Sequence, residues 1–147
     1  MYKLIRCMSK SSKDIGAELD ERARQVVVHL IKIYMFRERG NLIHWMDELF
    51  GFLHSVSRLK GKNKFPSSDF IFRNMWEGQK IRFHRLVSQV YSKYRKIYEP
   101  YAVTEDEIED FVVAYLHWVS DELSRFGELL DSESCVDKVK ELLNEVY

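Results

Sequence analysis

Two cysteines, two prolines and six glycines in 147 residues leave little material for several familiar architectures. Cys7 and Cys135 lie at opposite ends without CxxC or metal-like spacing, so no disulfide framework is expected and both read as free thiols in a reducing compartment. So few turn formers argue against a many-turned β architecture. No stretch reaches 18 uncharged apolar residues, and the opening Met1-Tyr2-Lys3-Leu4-Ile5-Arg6 lacks the apolar run of a secretory signal. A cytoplasmic protein with no membrane partner is the resulting expectation. Also missing are GxGxxG, GxxxxGK[ST], GxSxG, HExxH and the calcium loop of an EF-hand.

What is present is apolar and aromatic: 46% hydrophobic and 14% aromatic residues, enough for one buried core. The formal net charge of zero conceals segregation. Residues 58–98 carry eleven Lys/Arg against two acidic residues, a net of +9. Residues 99–147 carry three against fourteen, a net of −11, and the first 57 add +2. The basic segment either meets an external anion or packs beside its own acidic neighbour, and the second arrangement is the expected one.

Apolar residues recur at three- and four-residue steps through five segments, roughly 12–38, 41–59, 67–98, 104–127 and 132–146. The spacing predicts an all-α, single-domain antiparallel bundle of four long helices plus a short C-terminal one. In the first segment Leu19, Ala23, Val26, Leu30, Ile33 and Tyr34 form one stripe, although the β-branched run Val26–Ile31 would also suit a buried strand. In the third, Phe72, Trp76, Phe83, Leu86, Val87, Val90, Tyr94 and Ile97 share a sector, with Arg73, Arg82, Arg85, Arg95 and Lys96 opposite, and Gly78 weakens the rod. Lys60–Asp69 reads as the one clear loop. Thr104-Glu105-Asp106-Glu107 is a capping box, with carboxylates at the positive end of the helix dipole.

Four sets of residues could carry chemistry. His44/Glu48 and His117/Asp121 stand four apart, a spacing able to share an ion, but the Glu-x-x-His pattern of di-iron bundles is missing; surface pairs are expected, with no metal and no cofactor. Arg24–His29 and Arg39–His44 are Arg-x4-His, while Arg22–His29 and Arg37–His44 are Arg-x6-His. Such spacing resembles the Arg–His pair of the all-helical HEPN ribonucleases, which implies a metal-independent RNA cleavage at a dimer interface. With eleven Arg and five His, about one match arises by chance, and the polar residue that follows the HEPN Arg is met by Gln25 but not by Gly40. The pairs also fall in the first third of the chain, where HEPN bundles carry theirs late, so the family is not assigned.

The basic loop with Lys60, Lys62 and Lys64, followed by Arg82, Arg85, Lys93 and Lys96 among Tyr91, Tyr94, Tyr98 and Tyr101, suits phosphate contact with base stacking. Finally, Phe36, Phe50 or Phe52 left outside the core would mark a protein or homodimer face. The favoured reading is a non-enzymatic helical interaction or regulatory module that acts through charged and aromatic surfaces on a protein partner. Nucleic-acid binding is the first alternative and the ribonuclease the second.

Overall fold

The computed structural model describes residues 12–37, 41–62, 67–126 and 131–145. Six helices account for nearly all of them: α1 (Ser12–Met35), α2 (Leu42–Lys62), α3 (Ser68–Ile81), α4 (Phe83–Tyr94), α5 (Glu105–Phe126) and α6 (Ser132–Glu145). No strand occurs among the described residues, so the β-branched run in α1 is helical. Helix α1 is central. It packs on α2, α3, α4 and α5, while α5 also covers α3 and α6 closes against α5 and α2. Pairings such as Arg22 with Ser55 and His29 with Glu48 run α1 and α2 antiparallel. Phe72 with His117 and His84 with Glu105 do the same for α3–α4 and α5.

The expected stripes form the core. Leu19, Ala23, Val26, Leu30, Ile33 and Tyr34 are all fully buried, as are Leu49, Leu53 and Val56 of α2 and Val112, Tyr115 and Val119 of α5. Side-chain caps fix the helix starts. Asn41 Oδ1 accepts from His44 N–H (3.2 Å), Ser67 Oγ from Phe70 N–H (3.1 Å), Thr104 Oγ1 from Glu107 N–H (3.1 Å) and Asp131 Oδ1 from Ser134 N–H (3.1 Å). Two hydrogen bonds from Ser134 hold the Asp131 carboxyl below its ordinary range. Arg37 ties the bundle end together: its guanidinium lies 4.6 Å from the Tyr34 ring and 4.0 Å from that of Tyr101, and Tyr101 N–H donates to Met35 C=O (2.8 Å).

The expected third helix is two helices, and the expected loop is partly helical. Helix α2 continues to Lys62. The break after Ile81 has a local cause. Arg82 adopts φ −104° and ψ 13°, outside the helical basin, and its Nε donates to Gly78 C=O (2.9 Å), the acceptor its own N–H would use in an unbroken helix. Asp20 of α1 then fastens the joint. Gln79, fully buried, donates from Nε2 to Asp20 Oδ1 (2.9 Å) and Asp20 C=O (3.1 Å), and Arg82 Nη2 lies 3.5 Å from Asp20 Oδ2. Arg82 is therefore a half-buried structural residue and not an outer cation.

Glycine permits this approach. A Cβ on Gly78 would collide with the Asp20 carboxylate, and one on Gly16 with Asn74 of α3. Gly51, by contrast, has open space beside it. Ending α4 at Tyr94 also leaves Ile97, an expected core residue, 70% exposed. Ile71 and Met75 are fully buried on α3, where the expected Trp76 is also buried and the expected Phe72 is half-buried.

Two tests follow from these local geometries. Gly51→Ala should raise stability by about 0.5–1 kcal/mol through helix propensity alone. Gly78→Ala should lower it by about 1–3 kcal/mol, because the new methyl must displace a carboxylate held by two partners. Urea denaturation midpoints that move in the same direction for both would contradict the joint described. Thr104→Ala, read the same way, should cost about 0.5–2 kcal/mol by stripping the first turn of α5 of its acceptor.

Candidate functional site

A groove of about 400 Å³ opens where α1, α2 and α4 meet. Its apolar walls are Val28, Phe52, Leu86 and Val90, and its polar groups are Gln25, His29, Lys32, Glu48, Gln89, Lys93 and the Tyr94 hydroxyl. Helix α1 supplies the floor. Gln25, Val28, His29 and Lys32 follow three- and four-residue steps and so fall on one face.

Lys32 is the unusual member. It is 5% exposed, yet no carboxylate among the described residues lies within ion-pair distance of its ammonium. Nζ donates one long hydrogen bond to Tyr94 Oη (3.3 Å) and lies over the Trp45 and Tyr94 rings at 5.4 and 5.1 Å. Lys93 Nζ lies 5.4 Å from the same Tyr94 ring. Burying an ammonium without a counter-charge costs several kcal/mol, of which two ring contacts at about 0.5–2 kcal/mol each recover only part.

His29 stands one turn earlier, 4% exposed and tilted against Phe52 at 4.9 Å. Its Nδ1 donates to Gln25 C=O (2.8 Å), which places the proton of the neutral ring on Nδ1. Nε2 is buried without a hydrogen-bond partner, 3.6 Å from Glu48 Oε2. Burial lowers the His29 pKa, and the nearby Lys32 charge lowers it further; the Gln25 carbonyl and Glu48 act in the opposite sense. The other Glu48 oxygen meets exposed His44 at 3.3 Å. The expected His44/Glu48 pair is therefore formed, and it shares its carboxylate with His29. His117 is not drawn toward it but stacks flat on Phe72, with ring centroids 3.7 Å apart. Among the described residues no group of three or more His, Cys, Asp or Glu is placed to hold a metal ion.

Among the described residues the Arg–His spacings do not converge on one point. Arg24 is exposed and lies about 140° round α1 from buried His29, because five residues advance a helix by that angle. Arg22 bonds to Ser55 on α2, and Arg37 is buried against Tyr34 and Tyr101. Arg39 lies outside the described residues. Of the three candidate aromatics, Phe36 is 1% exposed and belongs to the core, while Phe50 and Phe52 are half-buried against it. The exposed large apolar residues are instead Ile43, Ile81, Tyr91 and Ile97. Cys135 is buried, its thiol pushed up to about 12 by burial, so it behaves as a core residue; Cys7 lies outside the described residues.

The basic residues divide. Lys64 lies outside the described residues, and so do the side chains of Lys60 and Lys62. Arg85, Lys93, Arg95 and Lys96 are exposed on and just beyond α4. None makes an ion pair among the described residues; Arg95 lies over Tyr91 at 5.3 Å. The ion pair His84–Glu105 (2.8 Å) joins the basic segment to the acidic one. The two charged segments do lie side by side, since the acidic α5 packs mainly on α3, within residues 58–98. But α3 carries Asp69 and Glu77 beside Arg73 and Lys80, and the cations beyond it, on and after α4, are not answered by ion pairs among the described residues. No family model, curated protein or solved structure matches this chain.

A buried histidine with a lowered pKa makes a signed prediction. The unfolded chain binds a proton at His29 more readily than the folded one, so this residue stabilises less as pH falls below its ordinary 6.5. Urea midpoints at pH 7.5 and at about pH 5 should differ more for the parent than for His29→Gln. Equal differences would mean that His29 is not held neutral by burial.

Proposed function

We propose that the chain is a non-enzymatic interaction module whose working surface is the outer face of α4, and that its partner presents a negatively charged surface. One observation supports this most directly: Arg85, Lys93, Arg95 and Lys96 are exposed on one short stretch without an ion pair among the described residues. Surface cations that merely solubilise a bundle commonly sit beside carboxylates, but here the excess of Asp and Glu lies on α5 and α6. An acidic protein surface would be recruited by charge and then held by the flanking apolar groups, with Ile97 and Tyr91 the exposed candidates.

Single-stranded nucleic acid is the second reading. Tyr91, 38% exposed, with the Arg95 guanidinium over its ring, supports it. A base stacks on such a ring while neighbouring cations meet phosphates. The two readings separate on salt and on chemistry.

Retention on heparin should fall when Arg85, Arg95 and Lys96 are changed together to Gln, while the denaturation midpoint stays within about 0.5 kcal/mol of the parent. Titration of a labelled single strand at several salt concentrations then distinguishes the partners. For nucleic acid, the logarithm of affinity should fall linearly with the logarithm of salt, and the triple variant should lose about 2 from that slope. Heparin retention without strand binding would favour an acidic protein. Retention equal in parent and variant would end the proposal for this face.

A further inference from the structure

We infer that the groove between α1, α2 and α4 is a binding site for a small organic monoanion, a carboxylate with an apolar body. Lys32 anchors the head group, and Val28, Phe52, Leu86 and Val90 receive the body. The groove shares Lys93 with the outer face of α4, but its anchor, Lys32, is almost wholly buried, and a polymer backbone running along the surface would not reach it.

The argument begins with unspent donors. An ammonium has three N–H groups, and Lys32 directs one at Tyr94 Oη over 3.3 Å, with no other hydrogen bond among the described residues. Lys93 approaches the same Tyr94 ring from 5.4 Å, so two ammonium groups attend one aromatic ring, and no carboxylate is ion-paired to either among the described residues. Their mutual repulsion is relieved by an anion placed between them. The charge count sets the valence. Lys32 and Lys93 contribute two positive charges, Glu48 one negative, and His29 is held toward neutrality by burial, which leaves one positive charge for one negative ligand group.

Shape and chemistry set the rest of the ligand. Val28, Phe52, Leu86 and Val90 line the groove together with the Tyr94 ring, so a fully hydrated ion such as inorganic phosphate would exchange its water for apolar walls. A carboxylate carrying a ring or short alkyl chain places each part against its match. A volume of about 400 Å³ lies within the range typical of small-ligand pockets. Gln25 and Gln89 at the rim can each donate to the second carboxylate oxygen or accept from a ligand hydroxyl.

Phenylacetate is a suitable probe, with phenylacetamide as its neutral counterpart and inorganic phosphate as an anion without an apolar body. In NMR titrations of the whole chain, phenylacetate should shift amides of residues 25–32 and 86–94 saturably, and phenylacetamide should bind about tenfold or more weakly. Lys32→Met keeps the length of the side chain and removes its charge; it should reduce phenylacetate affinity by about tenfold while leaving phenylacetamide unchanged. Lys93→Gln, at an exposed position, should weaken the carboxylate by a smaller factor, and Arg85→Glu with Lys96→Glu should leave it within about twofold. Equal affinity for the acid and the amide would overturn the inference, leaving only an apolar crevice. So would phosphate binding as tightly as phenylacetate, or no saturable shift with either carboxylate or phosphate. Should Lys32→Met fail to fold, the acid-to-amide ratio in the parent and its decrease in Lys93→Gln decide the matter.

Discussion

The contact between Asp20 and the α3–α4 joint is the constraint on which the arrangement of the bundle depends. One carboxylate receives Gln79, which is fully buried, and Arg82, which is half-buried, and it lies against the bare backbone of Gly78. A buried amide cannot be left without partners at less than about 1–3 kcal/mol, so Gln79 fixes where α3 crosses α1. Arg82 then both breaks the helix and repairs the break, since its Nε reaches the Gly78 carbonyl that the interrupted ladder would leave without its donor. Removal of the Asp20 side chain takes a partner from both Gln79 and Arg82, and removal of either of those takes one from Asp20. That mutual dependence is why the node resists treatment as separate pairwise contacts.

The joint has consequences away from itself. With α3 committed to α1 and α5, α4 begins afresh at Phe83 and packs chiefly on α1. Its buried positions, Phe83, Leu86 and Val90, keep a helical stripe on the core, while Leu86, Val90 and Tyr94 form one wall of the groove over His29 and Lys32. The outward half of the same short helix and the residues just beyond it carry the unpaired cations. One break in the chain thus accounts for both the groove and the open basic face.

Much of this was legible in the residues. Apolar spacing of three and four placed most core side chains of α2 and α5, while in α1 it marked the stripe from Leu19 to Tyr34 but not Ile15, Val27, Ile31 and Met35, which are buried because four helices pack around α1. Thr104 was legible as a cap, its donor Glu107 N–H lying three residues on. The break at Arg82 was not. Gly78 signalled weakness, but the signal that mattered was a carboxylate 58 residues earlier, and no local propensity encodes which helix will lie opposite. Lys32 was missed for a related reason. In sequence it is a cation following an apolar run, and only the approach of Trp45 and Tyr94 from two other helices turns it into a buried ammonium.

The same reasoning explains why charge segregation in the sequence did not become charge pairing in space. Helices are placed by their apolar stripes, whose burial contributes about 25 cal/mol per Å², whereas an exposed ion pair contributes about 0–1 kcal/mol. The acidic α5 buries Ile108, Phe111, Val112, Tyr115, Leu116, Val119 and Leu123, and that stripe sets its neighbours as α3 and α1 whatever the charges on its outer side. At the helix start Glu105 meets His84, and there the two charged segments touch as an ion pair. The cations of α4 are consequently left to the solvent by a packing decision made elsewhere. A surface whose charge is neither used by the fold nor cancelled by it is free to be set by what binds there.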